Sequence, residues 1–384
     1  MYKPNYKNGS IVNLMSSIKR AFGGNSKYEP LKNFDFSNFS SKNIVLIVID
    51  GLGYNFLTKH GKNSFLYKNL KGKMTSVFPT TTASAMTTYS TGLAPQQHAL
   101  TGVFMFLKEI GAISAILPFT TRAGNLKLSK GKIKYKDIYN EKSFFDDLKV
   151  SSFSIKDKAY IDSDYSHLTN GKAKKLPFSN LNGFFKQINK ALNATNERKY
   201  IFAHWAKLDA MCHKKGTDNK EVQKHFDELD KKIKSFSKSL KNKNVVLIIS
   251  ADHGLINTKE KNKIIELKNH PKFVETLTMS LSGEARVIYC YVKPRKVKDF
   301  ENYVKTKFKD ACNLYKSDDL IKSDYFGLFK PNEKLKDRIG DYILIMKENY
   351  IMRDLILGEK QCTYIGNHGG VSEEEMFVPL IVIE

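Results

Sequence analysis

Two runs in the chain are almost wholly apolar and β-branched, Ile44-Val45-Leu46-Ile47-Val48-Ile49 and Val245-Val246-Leu247-Ile248-Ile249-Ser250. Neither offers a polar face to water, which predicts strands covered on both faces of a parallel sheet. Lys199–Trp205 reads as a third core strand and Phe377–Ile383 as a closing one. Residues 112–118, 285–292 and 342–346 are further strand-like runs. Elsewhere the period is helical. Ile11, Leu14, Met15, Ile18 and Phe22 predict an amphipathic helix over 9–22, stopped by Gly23-Gly24 and docked on the core. Val222, Phe226, Leu229, Ile233, Phe236 and Leu240 predict a long helix covering one face of the sheet, with His225 and Asp230 on its solvent side. Residues 25–43 read as loop, and the lysine-rich stretch 125–198 shows no period that places its elements. The expectation is a single α/β domain over 1–384. Its core lies in 40–260 and 363–384, and an inserted subdomain at 261–362 shapes a site.

Chemistry-bearing residues stand where the apolar runs end. Asp50 follows the first run, and Ala251-Asp252-His253-Gly254 the second. Open α/β sheets bind ligands at the carboxyl ends of their strands, and an Asp-His pair there points to metal binding or catalysis. Beyond the third strand, Asp209 and His213 are four apart, so one helical turn puts both on one face. His368 lies among glycines in Gly366-Asn367-His368-Gly369-Gly370, where backbone can approach a ligand closely. Parallel strands bring these positions to one sheet edge. Six carboxylate and imidazole donors then suit two divalent cations, each with three protein ligands and an open position. The stretch Phe78-Pro79-Thr80-Thr81-Thr82 adds a hydroxyl. Pro79 cannot sit in a helix interior, so the threonines mark where a loop enters a helix that Gly92 ends. A helix start offers N–H groups to a phosphate, and a hydroxyl there becomes a nucleophile if its pKa is lowered. Arg122, in the loop Phe119-Thr120-Thr121-Arg122-Ala123-Gly124, is a candidate contact for phosphate or substrate. His98 reads as structural.

Composition narrows the class. The 384 residues are 41% hydrophobic and 12% aromatic, enough for a large core. The net charge of +24 is carried almost entirely by lysine; the arginines are Arg20, Arg122, Arg198, Arg286, Arg295, Arg338 and Arg353. Scattered lysine reads as a solvated surface, because nucleic-acid readers favour the bidentate guanidinium. The same field attracts a phosphorylated substrate. Cys212, Cys290, Cys312 and Cys362 show no CxxC spacing and read as reduced thiols. The first residues lack an apolar signal core, and no run of about 18 apolar residues offers a membrane span. A soluble, cytoplasmic protein is expected, its oligomeric state left open.

The motifs together carry a resemblance. They are Val48-Ile49-Asp50-Gly51, Phe78-Pro79-Thr80-Thr81-Thr82, Thr91-Gly92-Leu93-Ala94-Pro95 with His98, Asp209-Ala210-Met211-Cys212-His213, Ala251-Asp252-His253-Gly254 and Gly366-Asn367-His368-Gly369-Gly370. In order and spacing they resemble the nucleotide pyrophosphatase/phosphodiesterase branch of the alkaline phosphatase superfamily. The resemblance implies a doubly wound α/β/α sandwich and a metal-dependent phosphodiesterase with two zinc ions, manganese being the alternative. It implies Thr82 as nucleophile. It implies Asp209, His213 and His368 around one ion, and Asp50, Asp252, His253 and Thr82 around the other. Thr82 would attack phosphorus in line and expel the ester oxygen, and water would then hydrolyse the phosphothreonine. Phe78, inside the motif, and Arg122 are the expected contacts to a phosphorylated small molecule or nucleotide. Two positions depart from the family pattern. Thr81 stands where a lysine is frequent, and Val103 where an asparagine steadies a phosphoryl oxygen. The second departure keeps a phosphomonoesterase or phosphonate hydrolase on the same scaffold as the alternative. The Cys/Ser-x-Pro-x-Arg motif of a sulfatase is absent. The rival from another class is a catalytically silent basic protein that binds nucleic acid or acidic surfaces, with salt-sensitive binding that survives chelation.

Overall fold

The computed structural model describes residues 1–241, 243–359 and 363–384. The apolar runs form the middle of a seven-stranded sheet. Its order is Leu70–Thr75, Phe377–Ile383, Val245–Ser250, Asn43–Ile49, Lys199–Trp205, Ser151–Asp157, Lys174–Phe178. The last five run parallel, and Phe377–Ile383 is antiparallel to both of its neighbours. Ile44 to Ile49 are wholly buried, as cover on both faces requires. Among the flanking helices, Ile11–Ala21 buries Ile11, Leu14, Met15 and Ile18, and Lys220–Ser239 buries Val222, Phe226, Leu229, Ile233 and Phe236. The arrangement is the doubly wound α/β/α sandwich expected.

Several features differ from the sequence expectation. His225 is not on the solvent side. It is buried, and its Nε2 accepts a hydrogen bond from Trp205 Nε1–H at 3.1 Å. Asp230 is half-buried and accepts from the backbone N–H groups of Phe65 and Leu66 at 3.0 and 2.8 Å. Polar side chains at the rim of the helix's apolar stripe are thus paired against neighbouring segments. The lysine-rich stretch contains Ser151–Asp157, Lys174–Phe178 and the helix Leu181–Leu192. Its edge strand exposes Lys174 and Pro177 while burying Leu176 and Phe178, a pattern too short to register as a period.

A second seven-stranded sheet has the order Cys312–Lys316, Tyr342–Met346, Val287–Cys290, Ser282–Gly283, Phe104–Leu107, Ala112–Ala115, Thr120–Thr121. The subdomain expected at 261–362 therefore shares its sheet with residues 104–121, joined where Gly283 pairs with Phe104. This junction brings Glu284 beside Thr81 and Val103. No helix among the described residues is long and apolar enough to cross a membrane. Cys212, Cys290 and Cys312 are buried free thiols, and Cys362 lies outside the described residues.

Strand register positions the site. Val48 pairs with His204 on one side and with Ser250 on the other. The three central strands therefore end level, and Asp50, the helix after Trp205, and Asp252-His253 emerge at one edge.

Candidate active site and metal centre

Three buried carboxylates meet at that edge, and each has one oxygen fixed by the protein. Asp252 Oδ1 accepts from the backbone N–H of Gly51 at 3.0 Å and of His253 at 2.9 Å. Asp50 Oδ2 lies 3.1 Å from His204 Nε2, and Asp209 Oδ2 lies 3.2 Å from His213 Nε2. The opposite oxygens, Asp50 Oδ1, Asp209 Oδ1 and Asp252 Oδ2, are buried with no hydrogen-bond partner among the described residues. An unpaired buried carboxylate oxygen is costly unless something else satisfies it.

The imidazoles repeat the design. Nδ1 of His213 contacts Gly366 O at 2.7 Å, Nδ1 of His253 contacts Gly254 O at 3.1 Å, and Nδ1 of His368 contacts Thr80 O at 3.2 Å. A carbonyl only accepts, so each Nδ1 carries a proton and each ring turns Nε2 toward the cluster, where that of His213 faces Asp209 Oδ2. Backbone anchoring of the far nitrogen is how metal-ligating histidines are held. Asp50, Asp252 and His253 place donor atoms within 4.8 Å of one another, and so do Asp209, His253 and His368. His253 thus belongs to both compact groups. His213 joins through Asp209, with its ring 5.0 Å from that of His368. The donors are hard carboxylates and neutral imidazoles, and three oxygens await a partner. The set fits divalent cations.

Crowding shifts the carboxyls in the metal-free protein. Burial, then Asp252 and Asp209, pushes Asp50 well above the usual carboxylate range. Burial opposes the charge on Asp209 as well, but the His213 hydrogen bond and nearby imidazoles outweigh it and hold the carboxyl at about 2. Burial, with His253 and His213, keeps His368 well below the usual imidazole value.

Thr82 opens the helix Thr82–Thr91, which Gly92 ends in a left-handed conformation. Its Oγ1 lies 3.2 Å from His253 Nε2. Thr81, at the N-cap, makes no side-chain capping bond, so it does not occupy the N–H groups of the first turn. A cavity of about 500 Å³ opens over Thr82, His213 and His368, with Phe104, Leu117, Ile351 and Leu355 on its apolar side.

The sequence profile of the Type I phosphodiesterase / nucleotide pyrophosphatase family matches residues 44–371. The chain belongs to this family. Solved structures of ectonucleotide pyrophosphatase / phosphodiesterase 5 share its fold. The murine protein is 19% identical with a TM-score of 0.66, over 88% of this chain and 87% of that one. The same values hold for an inactive murine variant in complex with AMP. The human protein is 18% identical, with the same TM-score and coverage. Family membership makes this chain a hydrolase of phosphodiester or pyrophosphate bonds.

Within this phosphodiesterase, two expected substrate contacts have other partners. Phe78 is wholly buried, packed on Tyr325 and Phe326 with ring centroids 5.4 and 5.0 Å away. It belongs to the core and has no surface to offer a substrate. Arg122 does line the cavity, but its guanidinium donates to Glu359, Leu281 O and Asp354 O. A guanidinium engaged on all sides braces the wall and has little left for a phosphate.

Three residues of this site were not singled out by the sequence. His204 steadies Asp50 through its Nε2, and burial lowers its imidazole to about 4, so it does so as a neutral ring. A histidine level with the last turn of an apolar strand was its one signal. Arg286 and Glu375 form a wholly buried pair, with Nε–Oε1 at 2.6 Å and Nη2–Oε2 at 2.9 Å. Glu375 Oε1 also accepts from Gly370 N–H at 2.7 Å, and Thr80 Oγ1 donates to Gly370 O at 2.8 Å. The His368 loop is therefore pinned from both sides. At Gly254 a Cβ would lie 2.0 Å from Glu374 O, so this turn can close only on glycine. Replacing Glu375 with alanine leaves the buried Arg286 charge without its carboxylate, with only the carbonyls of Tyr350 and Glu348 still accepting from it. We expect a loss of about 3–5 kcal/mol, measured by urea unfolding of the chelated protein. An unchanged midpoint would refute the brace.

Proposed function

We propose that the protein hydrolyses phosphodiesters or nucleotide pyrophosphate bonds at two divalent cations, zinc being the first choice, with Thr82 as nucleophile. One observation carries the reading. Each carboxylate of the cluster has one oxygen held by the protein and the opposite oxygen buried with no hydrogen-bond partner among the described residues, and the three backbone-anchored imidazoles turn Nε2 toward them, beside Thr82. Asp50, Asp252 and His253 would hold one ion, and Asp209, His213 and His368 the other. When bound, such cations lower the pKa of a nearby hydroxyl and offset charge on phosphoryl oxygens.

The chain's own residues do the rest. Thr82 Oγ1 attacks phosphorus, a phosphothreonine forms, and the P–O bond to the leaving group breaks. N–H groups at the start of the Thr82–Thr91 helix donate to the phosphoryl oxygens. Water then attacks the same phosphorus, the bond to Oγ1 breaks, and the hydroxyl is restored. The apolar side of the cavity receives the organic part of the ester. The AMP complex of the murine relative supports a nucleotide as that part.

The test is hydrolysis of a chromogenic phosphodiester beside its monoester, with zinc, with manganese and after chelation. The expected result is faster diester cleavage that chelation abolishes and zinc restores. Faster monoester cleavage would move the assignment to a phosphatase. Salt-sensitive binding of nucleic acid with no turnover of either ester would support the silent binding protein.

A further inference from the structure

Glu284 stands in the cavity beside Thr81, Thr82, His213 and His368. Its Oε1 accepts from Thr81 Oγ1 at 2.6 Å and from the backbone N–H of Val103 at 2.7 Å. Its own N–H donates to Val287 O at 2.7 Å, which fixes the turn that carries it. A Cβ on Gly369 would come within 2.7 Å of Glu284 Cβ, so the residue after His368 has no side chain where the glutamate passes. The carboxylate is thus held one residue from the nucleophile and against the His368 loop. Among the described residues no lysine or arginine pairs with it. A fixed carboxylate in the wall of this cavity, with no lysine or arginine partner, is repelled by every additional negative charge on the incoming phosphorus.

We propose that Glu284 is a charge gate for this site: it admits esters with a single negative charge at phosphorus and excludes dianionic monoesters. The gate rests on the reading that Thr82 attacks phosphorus here, and it adds the residue that selects the charge state of the substrate. Thr81 and Val103 serve it as anchors, one through its hydroxyl and the other through its N–H.

Glu284→Gln tests this with the least disturbance, since the amide oxygen still accepts from Thr81 and Val103 while the charge is removed. Glu284→Ala is the second variant. Burial raises the Glu284 carboxyl to about 7, so assays run on metal-loaded protein near pH ~8.5, where carboxylate and monoester are both ionised. The probes are the p-nitrophenyl ester of thymidine 5′-phosphate, a monoanion, and p-nitrophenyl phosphate, a dianion. In both variants the monoester-to-diester ratio of kcat/KM should rise about tenfold or more, about 1.4 kcal/mol per tenfold. A ratio that moves less than about threefold, including a parallel fall for both esters, would mean that Glu284 only braces Thr81, and would overturn the gate. The wild-type protein offers an independent check. Phenyl phosphate should inhibit about tenfold more weakly than its monoanionic methyl ester, and equal or tighter inhibition by the dianion would overturn the gate without any substitution. An unchanged ratio in an active enzyme defeats the gate alone, whereas a wild-type protein inert to both esters defeats the functional reading and the gate with it.

Discussion

Thr82→Ala lowers the kcat for a chromogenic phosphodiester by at least about a thousandfold, because no other hydroxyl stands in its place. Thr81 is adjacent, but its hydroxyl donates to Glu284, and the Thr80 hydroxyl donates to Gly370 O. Neither is free to take over the attack. The fold should survive, since Thr82 is the first residue of its helix and is only half-buried. The six carboxylate and imidazole donors remain, so metal should still raise the thermal midpoint of the variant. Thr82→Ser restores a hydroxyl and should recover measurable turnover. The decisive comparison is kcat against the metal-induced rise in Tm for each variant. A Thr82→Ala protein with more than about a tenth of wild-type turnover would remove Thr82 from the mechanism.

The chemistry was legible in the sequence where it was tied to strand ends. Asp50 and Asp252-His253 follow runs so apolar that only a buried parallel strand accommodates them, and such strands end together at a ligand-binding edge. Asp209 and His213 were legible through helical spacing, and His368 through its glycines. What escaped was pairing across long separations. Arg286 and Glu375 are 89 residues apart, and nothing in either local pattern announces that the two charges meet in the core. Glu284 follows a glycine in a short turn with no local signal of its own, and the pairing of Gly283 with Phe104 brings it to Thr81 and Val103. His225 failed for a related reason. It stands three residues after Val222 and four before Leu229, at the rim of the buried stripe, and its partner Trp205 lies on the preceding strand. Phe78 was read through its motif, whereas the aromatic residues that bury it, Tyr325 and Phe326, come from the distant segment beyond 320. Local periodicity sets which residues are buried within an element, and tertiary contacts decide which polar groups are paired.

His253→Ala should remove both metal-dependent stabilisation and turnover, and should do so more completely than His213→Ala. The reason is position. His253 lies within reach of Asp50 and Asp252 on one side and of Asp209 and His368 on the other, while His213 meets the cluster at Asp209 and the ring of His368. In the wild-type protein, saturating cation should stabilise by about 4 kcal/mol at a thousandfold excess over its Kd. His253→Ala should lose most of that gain and at least about a thousandfold in kcat. Chelated protein supplies the control for folding, because it separates the cavity left by the ring from the loss of metal. The same control reveals the opposite sign for a carboxylate. In the chelated protein Asp50 is buried against Asp252 and Asp209, and its carboxyl is raised. Its contribution is favourable below its unfolded pKa and is lost as pH rises through the raised folded value. Asp50→Asn should therefore raise Tm at neutral pH without metal and weaken binding once metal is added. A His253→Ala protein that kept the full metal-induced rise would show that this ring serves neither ion. The two groups would then be organised around Asp209 and His213 on one side and the paired aspartates on the other.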